Sequence, residues 1–239
     1  MAEVVDKNKE ASKKPLWNTK TARYVAFLDI LGFKDYVLRN SLDDVYNRLS
    51  TLRGFCPEET DSTEKYQTEV AKTIKISIFS DSIIIFSIDD TYNSLFYFLS
   101  YVKKIMRMAL RKEIPLKGAI AYGDVVIDST LDIFCGQPII DAYLLEEDLQ
   151  YLGVVFHHTF EKPFSSLTLP RLNSISSWIK EKKTPFKYGE RIHRNLDYRI
   201  AGKDTYNMTK FVKDQRLSSS GDARKYVDNT LSMLSAFQD

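Results

Sequence analysis

The 239-residue sequence has only two cysteines, almost no excess charge and no long apolar run. Cys56 and Cys135 do not form a CxxC pair, so neither a disulfide framework nor a structural zinc site is expected. The 34 basic and 32 acidic residues nearly cancel, so nucleic acid is not the default partner. No uncharged apolar stretch approaches the roughly 20 residues that span a bilayer, and no signal peptide is evident. We therefore expect a soluble cytoplasmic protein with no nucleic-acid partner and no membrane span.

The content of apolar residues is sufficient for one sizeable domain. Apolar residues make up 44% of the chain and aromatic residues 13%, which is too rich for disorder. Residues 1–20 are polar and charged and predict a mobile N-terminal arm, with Trp17 as the one residue suited to docking. Residues 57–69 are polar and predict a mobile loop. We assign residues 21–200 to the main domain and residues 201–239 to a C-terminal helical tail.

The apolar periodicity predicts strands and helices in a mixed order. A strand over 24–30 ends at Gly32, and a helix with a Ser41–Asp44 capping box follows it. Later segments are predicted as a hairpin over 70–79 and 83–88, a helix over 92–112, two strands over 116–123 and 124–128 that turn at Gly123–Asp124, a helix that begins at Gly136–Pro138, a strand over 154–156, strands near Phe186 and Ile192, and a last helix over 222–237. This order favours an α+β fold with a mostly antiparallel sheet and helices.

Two carboxylates stand at the ends of apolar strands. Asp29 closes the first strand, and Asp81 occupies the tip of the first hairpin between two serines. Strand ends on one side of a sheet can bring such side chains together. Magnesium and manganese take one or two protein carboxylates and complete their shells with phosphates and water, so this pair suits a nucleoside triphosphate. The competing interpretation is that Asp29 caps the next helix and Asp81 makes an Asx turn.

Four motifs occur in an order that resembles a known family. They are FLDILGF (27–33), FSD (79–81), KGAIAYG (117–123) and GQPIIDAYLLE (136–146), and together they resemble the nucleotidyl cyclase homology domain of class III cyclases. The FLDILGF, FSDSI and KGAI series is more similar still to the pyrimidine cyclases of bacterial antiphage (Pycsar) systems. The resemblance covers roughly residues 22–157.

The resemblance implies a ferredoxin-like cyclase fold and a metal-dependent reaction. Two Mn²⁺ or Mg²⁺ ions would be held by the catalytic residues Asp29 and Asp81, with help from the Ile30 carbonyl. The reaction would convert UTP into 3′,5′-cyclic UMP and pyrophosphate, in a homodimer with active sites at the interface. In that family the product activates a separate effector protein that kills or arrests the infected cell.

The resemblance also indicates residues for substrate binding and for base selection. Class III purine cyclases place a base-contacting Lys about where this chain has Ser77, and place an Asn and an Arg where it presents Ile140 and Leu144. These departures disfavour a purine substrate. The predicted substrate-binding residues are Phe33, Lys75, Ser77, Lys117 and Tyr143.

Several alternatives stay open at the level of sequence. The enzyme can be a cytidylate cyclase, a purine cyclase with a different polar set, or a catalytically inactive cyclase-like domain that binds a nucleotide and regulates a partner. The row of Lys103, Arg107 and Arg111 is better explained as a solvated helix face than as a phosphate site. His157 and His158 would point to opposite faces of a strand and are not expected to share a metal. Glu146, one helical turn after Tyr143, is expected to be a surface acid.

Overall fold

The computed structural model describes residues 17, 19–55, 70–199 and 203–237. The strands are β1 (Lys20–Ile30), β2 (Ile74–Phe79), β3 (Ser82–Ser87), β4 (Leu116–Asp128), β5 (Ile133–Cys135), β6 (Val154–Phe156), β7 (Ile179–Phe186) and β8 (Gly189–Leu196). The helices are α1 (Phe33–Arg39), α2 (Leu42–Arg53), α3 (Tyr92–Arg111), α4 (Gln137–Asp148), α5 (Glu161–Ser165), α6 (Leu169–Ser176), α7 (Lys203–Ser218) and α8 (Gly221–Ala236). None of the helices in this described part combines the length and apolar composition needed to cross a bilayer.

The first half of the described chain has the topology of a ferredoxin-like fold. The strands lie in the order β2-β3-β1-β4, and each neighbouring pair is antiparallel. Helices α1 and α2 lie between β1 and β2 in sequence, and α3 lies between β3 and β4. This is the β-α-β-β-α-β arrangement. The predicted α+β class, with a mostly antiparallel sheet, is therefore confirmed.

The second half extends the same sheet beyond β4. Strand β6 pairs with β4 in the parallel direction, and the β7–β8 hairpin then pairs through β8. Helices α7 and α8 follow this hairpin and pack against each other. The structure confirms the strands near Phe186 and Ile192 and the last helix. Helix α7 lies within the segment predicted as a C-terminal helical tail, although its bounds were not predicted.

The main core lies between one face of the sheet and the long helix α3. Leu28 and Ile30 of β1 face this core, and α3 contributes Phe98, Val102 and Ile105, all of which are fully or almost fully buried. Thr91 begins the helix by accepting a hydrogen bond from the Ser94 backbone N–H. Each buried large aliphatic side chain contributes about 1.5–3 kcal/mol, so α3 anchors this face of the sheet.

The opposite face of the sheet is covered by two different helices. Helix α4 packs on β1 and β4, with Ala142 buried against Phe27 and Ala121. Helix α8 covers the part of the face formed by β4 and β6, where Met233 and Phe237 contact the cluster around Val155. Because β1 side chains alternate between faces, Asp29 lies on this second face, beneath α4.

The hairpin predicted at Gly123–Asp124 is wrong. Residues Leu116–Asp128 form one continuous strand, because β1 is long enough to pair with it from Ile30 back to Lys20. The chain reverses a few residues later, where the Asp128 carboxylate accepts hydrogen bonds from the Thr130 and Leu131 backbone N–H groups. An Asx turn therefore takes the place of the expected glycine turn.

Other local expectations have mixed outcomes. The capping box at Ser41 and Asp44 and the helix start at Pro138 are confirmed. The predicted strand over 70–79 begins only at Ile74, because residues 70–73 are helical.

The expected placement of the two histidines on opposite faces of a strand is also wrong. Strand β6 ends at Phe156, and the His157 and His158 rings lie 4.0 Å apart. The loop over 57–69 and most of the N-terminal arm lie outside the described residues, but Trp17 packs against Arg23.

Candidate functional site

Asp29 and Asp81 converge at one edge of the sheet. Asp29 is the penultimate residue of β1 and lies directly across from Ser82 of β3 and Lys117 of β4. Asp81 lies in the tight β2–β3 turn, where its backbone carbonyl accepts a hydrogen bond of 3.2 Å from the Ile30 N–H. This backbone hydrogen bond therefore holds the β2–β3 turn next to the end of β1, and the two carboxylates are close enough for their charges to interact.

The electrostatic coupling of the two carboxylates is visible at Asp29. Its pKa rises from 3.8 to about 6, chiefly because the carboxyl group is partly buried and secondly because the Asp81 charge repels its ionised form. The positive charge of Lys117 opposes this rise. A bound cation would reduce the repulsion between the two carboxylates.

The helix-cap alternative for Asp29 is not what the structure shows. Helix α1 begins after Gly32, which has a φ of 75° and is its N-cap, and no side chain caps the helix by a hydrogen bond. Glycine suits this left-handed turn because it has no Cβ. The Asp29 carboxylate therefore does not cap α1.

The residues at the strand end fit a magnesium or manganese site. The carboxylates of Asp29 and Asp81, and the Ile30 carbonyl that the resemblance implies, offer oxygen atoms, which are the ligands these hard cations prefer. In the described residues no group of three or more His, Cys, Asp or Glu side chains is placed to hold a metal. Two carboxylates are sufficient where substrate phosphates and water complete the shell.

Lys117 is buried beside this pair rather than open to a ligand. Its side chain faces the same side of the sheet as Asp29, and the residue is only 5% exposed. The ammonium forms an ion pair of 2.9 Å with the Glu146 carboxylate and donates hydrogen bonds to the carbonyls of Glu146 (2.9 Å) and Leu149 (3.4 Å). The structure thus brings Lys117 close to the predicted metal site but engages it with the end of α4.

Glu146 is buried beside Lys117, although its sequence position predicted a surface acid. It is 3% exposed, and burial raises its pKa to about 7 against the opposing effect of Lys117. Its position one turn after Tyr143 on α4 was the only signal that could have indicated it. The helix packs on β1 and β4 at this point, which turns the residue inward.

Lys75 and Ser77 lie on the same face as Asp29 but on the outer strand β2. The register pairs Ser77 with Ile84, which in turn lies across from Phe27 of β1. The Lys75 ammonium contacts the Ser129 hydroxyl at 2.5 Å and lies 5.4 Å from the centre of the Phe134 ring. Lys75 therefore contacts the β4–β5 connection, whereas Ser77 remains half-buried on the open sheet surface.

The two aromatic candidates have different environments. Phe33, in the first turn of α1, is 6% exposed and belongs to the main core. Tyr143, on α4, is 42% exposed and contacts Phe27 edge to face, with ring centres 5.3 Å apart. The ring of Tyr143 is thus accessible on the face of the sheet that carries Asp29, whereas the ring of Phe33 is buried.

A cleft lies elsewhere on the molecule. Its volume is about 480 Å³, and its lining includes Tyr24, Asp90, Tyr92, Tyr122 and Arg171. Tyr24 belongs to β1 but points to the opposite face of the sheet from Asp29. The cleft is therefore separate from the carboxylate pair.

Comparisons with known proteins give structural similarity alone. No protein-family model matches the sequence, and no curated protein matches it. Solved structures with a similar fold include a bacterial light-regulated adenylyl cyclase, with 14% identity over 82% of this chain and 99% of that chain and a TM-score of 0.45. Another is the catalytic core of a rhodopsin–guanylyl cyclase with converted specificity in complex with ATPαS, with 14% identity over 74% and 96% of the two chains and a TM-score of 0.48. A third is a class III adenylyl cyclase-like ATP-binding protein from Pseudomonas aeruginosa, with 13% identity over 81% and 40% and a TM-score of 0.43.

Proposed function

We propose that the chain is a metal-dependent nucleotidyl cyclase that converts UTP into 3′,5′-cyclic UMP and pyrophosphate. The observation that carries the proposal is the pair of carboxylates, Asp29 and Asp81, held together at the end of β1 by the hydrogen bond between Ile30 and Asp81. The four sequence motifs support it, because they place both acids where class III cyclases hold their metal ions. The physiological role in antiphage defence, through a product-sensing effector, rests on the resemblance to the Pycsar family.

The reaction needs charge neutralisation and positioning more than covalent chemistry. The ribose 3′-oxygen forms a bond to the α-phosphorus, and the bond from that phosphorus to the bridging oxygen breaks. Pyrophosphate leaves with the bonding electrons, and the hydroxyl proton passes to solvent. Asp29, Asp81 and the Ile30 carbonyl would hold two Mn²⁺ or Mg²⁺ ions, which neutralise the phosphates and activate the hydroxyl.

The environment of the open sheet surface supports a pyrimidine base. Tyr143 is 42% exposed and packs edge to face on the buried Phe27, so its ring is accessible to a flat base on the face of the sheet that carries Asp29. Ser77 offers only a short hydroxyl on this face, and the Lys75 ammonium is engaged by Ser129. Neither side chain is therefore placed to extend across the surface to a purine nitrogen, as a long free lysine would be.

We further propose that the active form is a twofold homodimer. Large apolar side chains lie exposed around the carboxylate pair: Phe79 at the β2–β3 turn and Ile140, Tyr143 and Leu144 on one side of α4. A cluster of this kind is typical of an interface. An isologous contact through this face would bury these side chains and complete two equivalent sites at once.

The decisive experiment is to incubate the purified protein with each of the four ribonucleoside triphosphates and manganese, and to measure kcat/KM for cyclic product. We expect UTP to be preferred, CTP to be the lesser alternative, and ATP and GTP to be poor. Asp29→Ala and Asp81→Ala serve as inactive variants, and Asp124→Asn, an exposed acid on β4, is the matched control that should retain turnover.

Three outcomes would contradict the proposal in different ways. A preference for ATP or GTP of tenfold or more, about 1.4 kcal/mol, would overturn the pyrimidine assignment. If no triphosphate gives a cyclic product, the enzymatic function itself is wrong, and a nucleotide-binding regulatory role takes its place. Preference for CTP over UTP would mean that the product is cyclic CMP. A site that hydrogen-bonds to the edge of uracil leaves a buried group unpaired when cytosine binds, and this mismatch costs about 1–3 kcal/mol.

A further inference from the structure

Three oxygen atoms of the protein contact the Lys117 ammonium. These are the Glu146 carboxylate, an ion-pair partner at 2.9 Å, and the carbonyls of Glu146 (2.9 Å) and Leu149 (3.4 Å), which accept hydrogen bonds from the ammonium. An ammonium carries three donors. Lys117 would have to give up at least one of these partners before it could bind a substrate phosphate.

Without Glu146, Lys117 would still face the carboxylate of Asp29 across the sheet. The two residues lie directly opposite each other on adjacent antiparallel strands and point to the same face. Side chains in that relation have Cβ atoms about 4.5–5.5 Å apart, well within the length of a lysine side chain. The charges of Lys117 and Asp29 already influence each other in the present arrangement. A released ammonium would therefore compete with a metal ion for the Asp29 carboxylate.

The C-terminal helix α8 holds the other side of the lysine. The Tyr226 ring lies 5.6 Å from the ammonium, and the Tyr226 hydroxyl contacts Gln150 at 3.0 Å. Asn229 donates to the Gln150 carbonyl at 2.7 Å, and Thr230 accepts from the Leu152 N–H at 2.9 Å. These contacts fix the turn that carries the Leu149 carbonyl. Lys117 is thus enclosed between α4, this turn and α8.

We propose that Glu146 is a positioning residue that keeps the Lys117 ammonium away from Asp29 and so leaves the Asp29 carboxylate free for the metal ion. Glu146 acts through Lys117 and does not touch the substrate. The inference rests on the metal-binding part of the proposed function. It explains why Lys117 is buried in an ion pair with Glu146, because a lysine that binds phosphate would not need this partner.

The test is the affinity of the full-length protein for Mn²⁺ alone, measured by electron paramagnetic resonance or calorimetry without nucleotide. Glu146→Gln should weaken Mn²⁺ binding by tenfold or more, because Lys117 loses the negative charge of its ion-pair partner and is then attracted to Asp29. The double variant Glu146→Gln with Lys117→Met should recover an affinity within about threefold of the wild type, because the competitor is gone. Glu147→Gln, the exposed neighbour on the same helix, is the matched control and should not change the affinity.

Every outcome decides the inference. Unchanged Mn²⁺ affinity in Glu146→Gln overturns the inference. A double variant that binds Mn²⁺ as weakly as Glu146→Gln also overturns it, because loss of packing alone would give that result. Circular dichroism checks that each variant folds. If Glu146→Gln does not fold, Glu146→Asp, which is one methylene shorter, should show an intermediate loss that Lys117→Met again suppresses, and the absence of that loss overturns the inference.

The same measurements separate this inference from the proposed function. If the wild type binds Mn²⁺ through Asp29 and the suppression is observed, but no triphosphate is cyclised, the cyclase function fails and the role of Glu146 stands. If the wild type binds Mn²⁺ no better than Asp29→Ala, the role of Glu146 is overturned as well. Cyclisation with normal Mn²⁺ affinity in Glu146→Gln overturns the role of Glu146 alone.

Discussion

Asp29→Asn should make the metal-free protein more stable at neutral pH while it removes the predicted activity. The ionised Asp29 carboxylate is partly buried and lies close to Asp81, so its pKa rises from 3.8 to about 6. The native state therefore binds more protons than the unfolded state between about pH 4 and pH 6. Consequently the contribution of Asp29 to the free energy of unfolding falls as the pH rises through this interval. Asparagine resembles the protonated acid and avoids that loss.

The expected magnitude follows from the pKa shift. A shift of about two pKa units corresponds to about 3 kcal/mol at a pH above both values. Partial solvent exposure and the lost attraction to Lys117 reduce this gain, so we expect about 1–2 kcal/mol at about pH 8. At about pH 4.5 the difference between variant and wild type should be much smaller, because the native carboxyl group is then largely protonated.

Urea unfolding in the presence of a chelator, followed by circular dichroism at the two pH values, measures this difference. Asp124→Asn, an exposed acid on the same sheet, should change the free energy of unfolding by less than about 0.5 kcal/mol. A destabilised Asp29→Asn variant at about pH 8 would refute the reasoning. So would a stabilisation of equal size at both pH values, since it would not come from the ionisation of Asp29.

Four further predictions follow from other parts of the structure. Asp81→Ala should reduce cyclic nucleotide formation to background with an unchanged circular dichroism spectrum, and near-normal turnover with manganese would exclude Asp81 as a metal ligand. Leu144→Arg, on the exposed side of α4, should shift the protein to a monomer in analytical ultracentrifugation and abolish cyclic nucleotide formation, whereas a fully active monomer would exclude the dimer. Ser41→Ala removes the capping box of α2 and should lower the free energy of unfolding by about 1 kcal/mol in a urea titration. Tyr151→Phe removes a buried hydrogen bond of 2.7 Å to Asn195 and should cost about 1–3 kcal/mol in the same assay, so a neutral result would contradict that bond.

Local sequence signals predicted the elements that carry the carboxylate pair. The apolar run before Asp29 ends at Gly32, and the apolar segments on both sides of Asp81 form the β2–β3 hairpin. The spacing over 92–112 predicted α3, and Pro138 marked the start of α4. These signals are local because helix caps, turn residues and side-chain periodicity act within a few residues of the chain. The α+β class followed from the order of these elements.

Local patterns failed where a long-range partner decided the conformation. Gly123–Asp124 has the composition of a turn, but the strand continues because β1 pairs with it over its whole length. The row that includes Lys103 was expected to face solvent, yet Lys103 is buried and its ammonium lies 4.7 Å from the Trp178 ring. That contact joins residues 75 positions apart, and no local pattern encodes it.

The sequence by itself determined which residues carry carboxylates, where the strands end, and that Asp29 and Asp81 both stand at such ends. Only the tertiary structure decided the partners of the neighbouring charges. Lys117 and Glu146 are 29 residues apart, and they meet because α4 packs across β1 and β4. Phe33 is likewise drawn into the core by the way α1 follows the turn at Gly32. Ion pairs and burial at this distance depend on how helices pack onto the sheet, and packing is a property of the whole fold rather than of any segment.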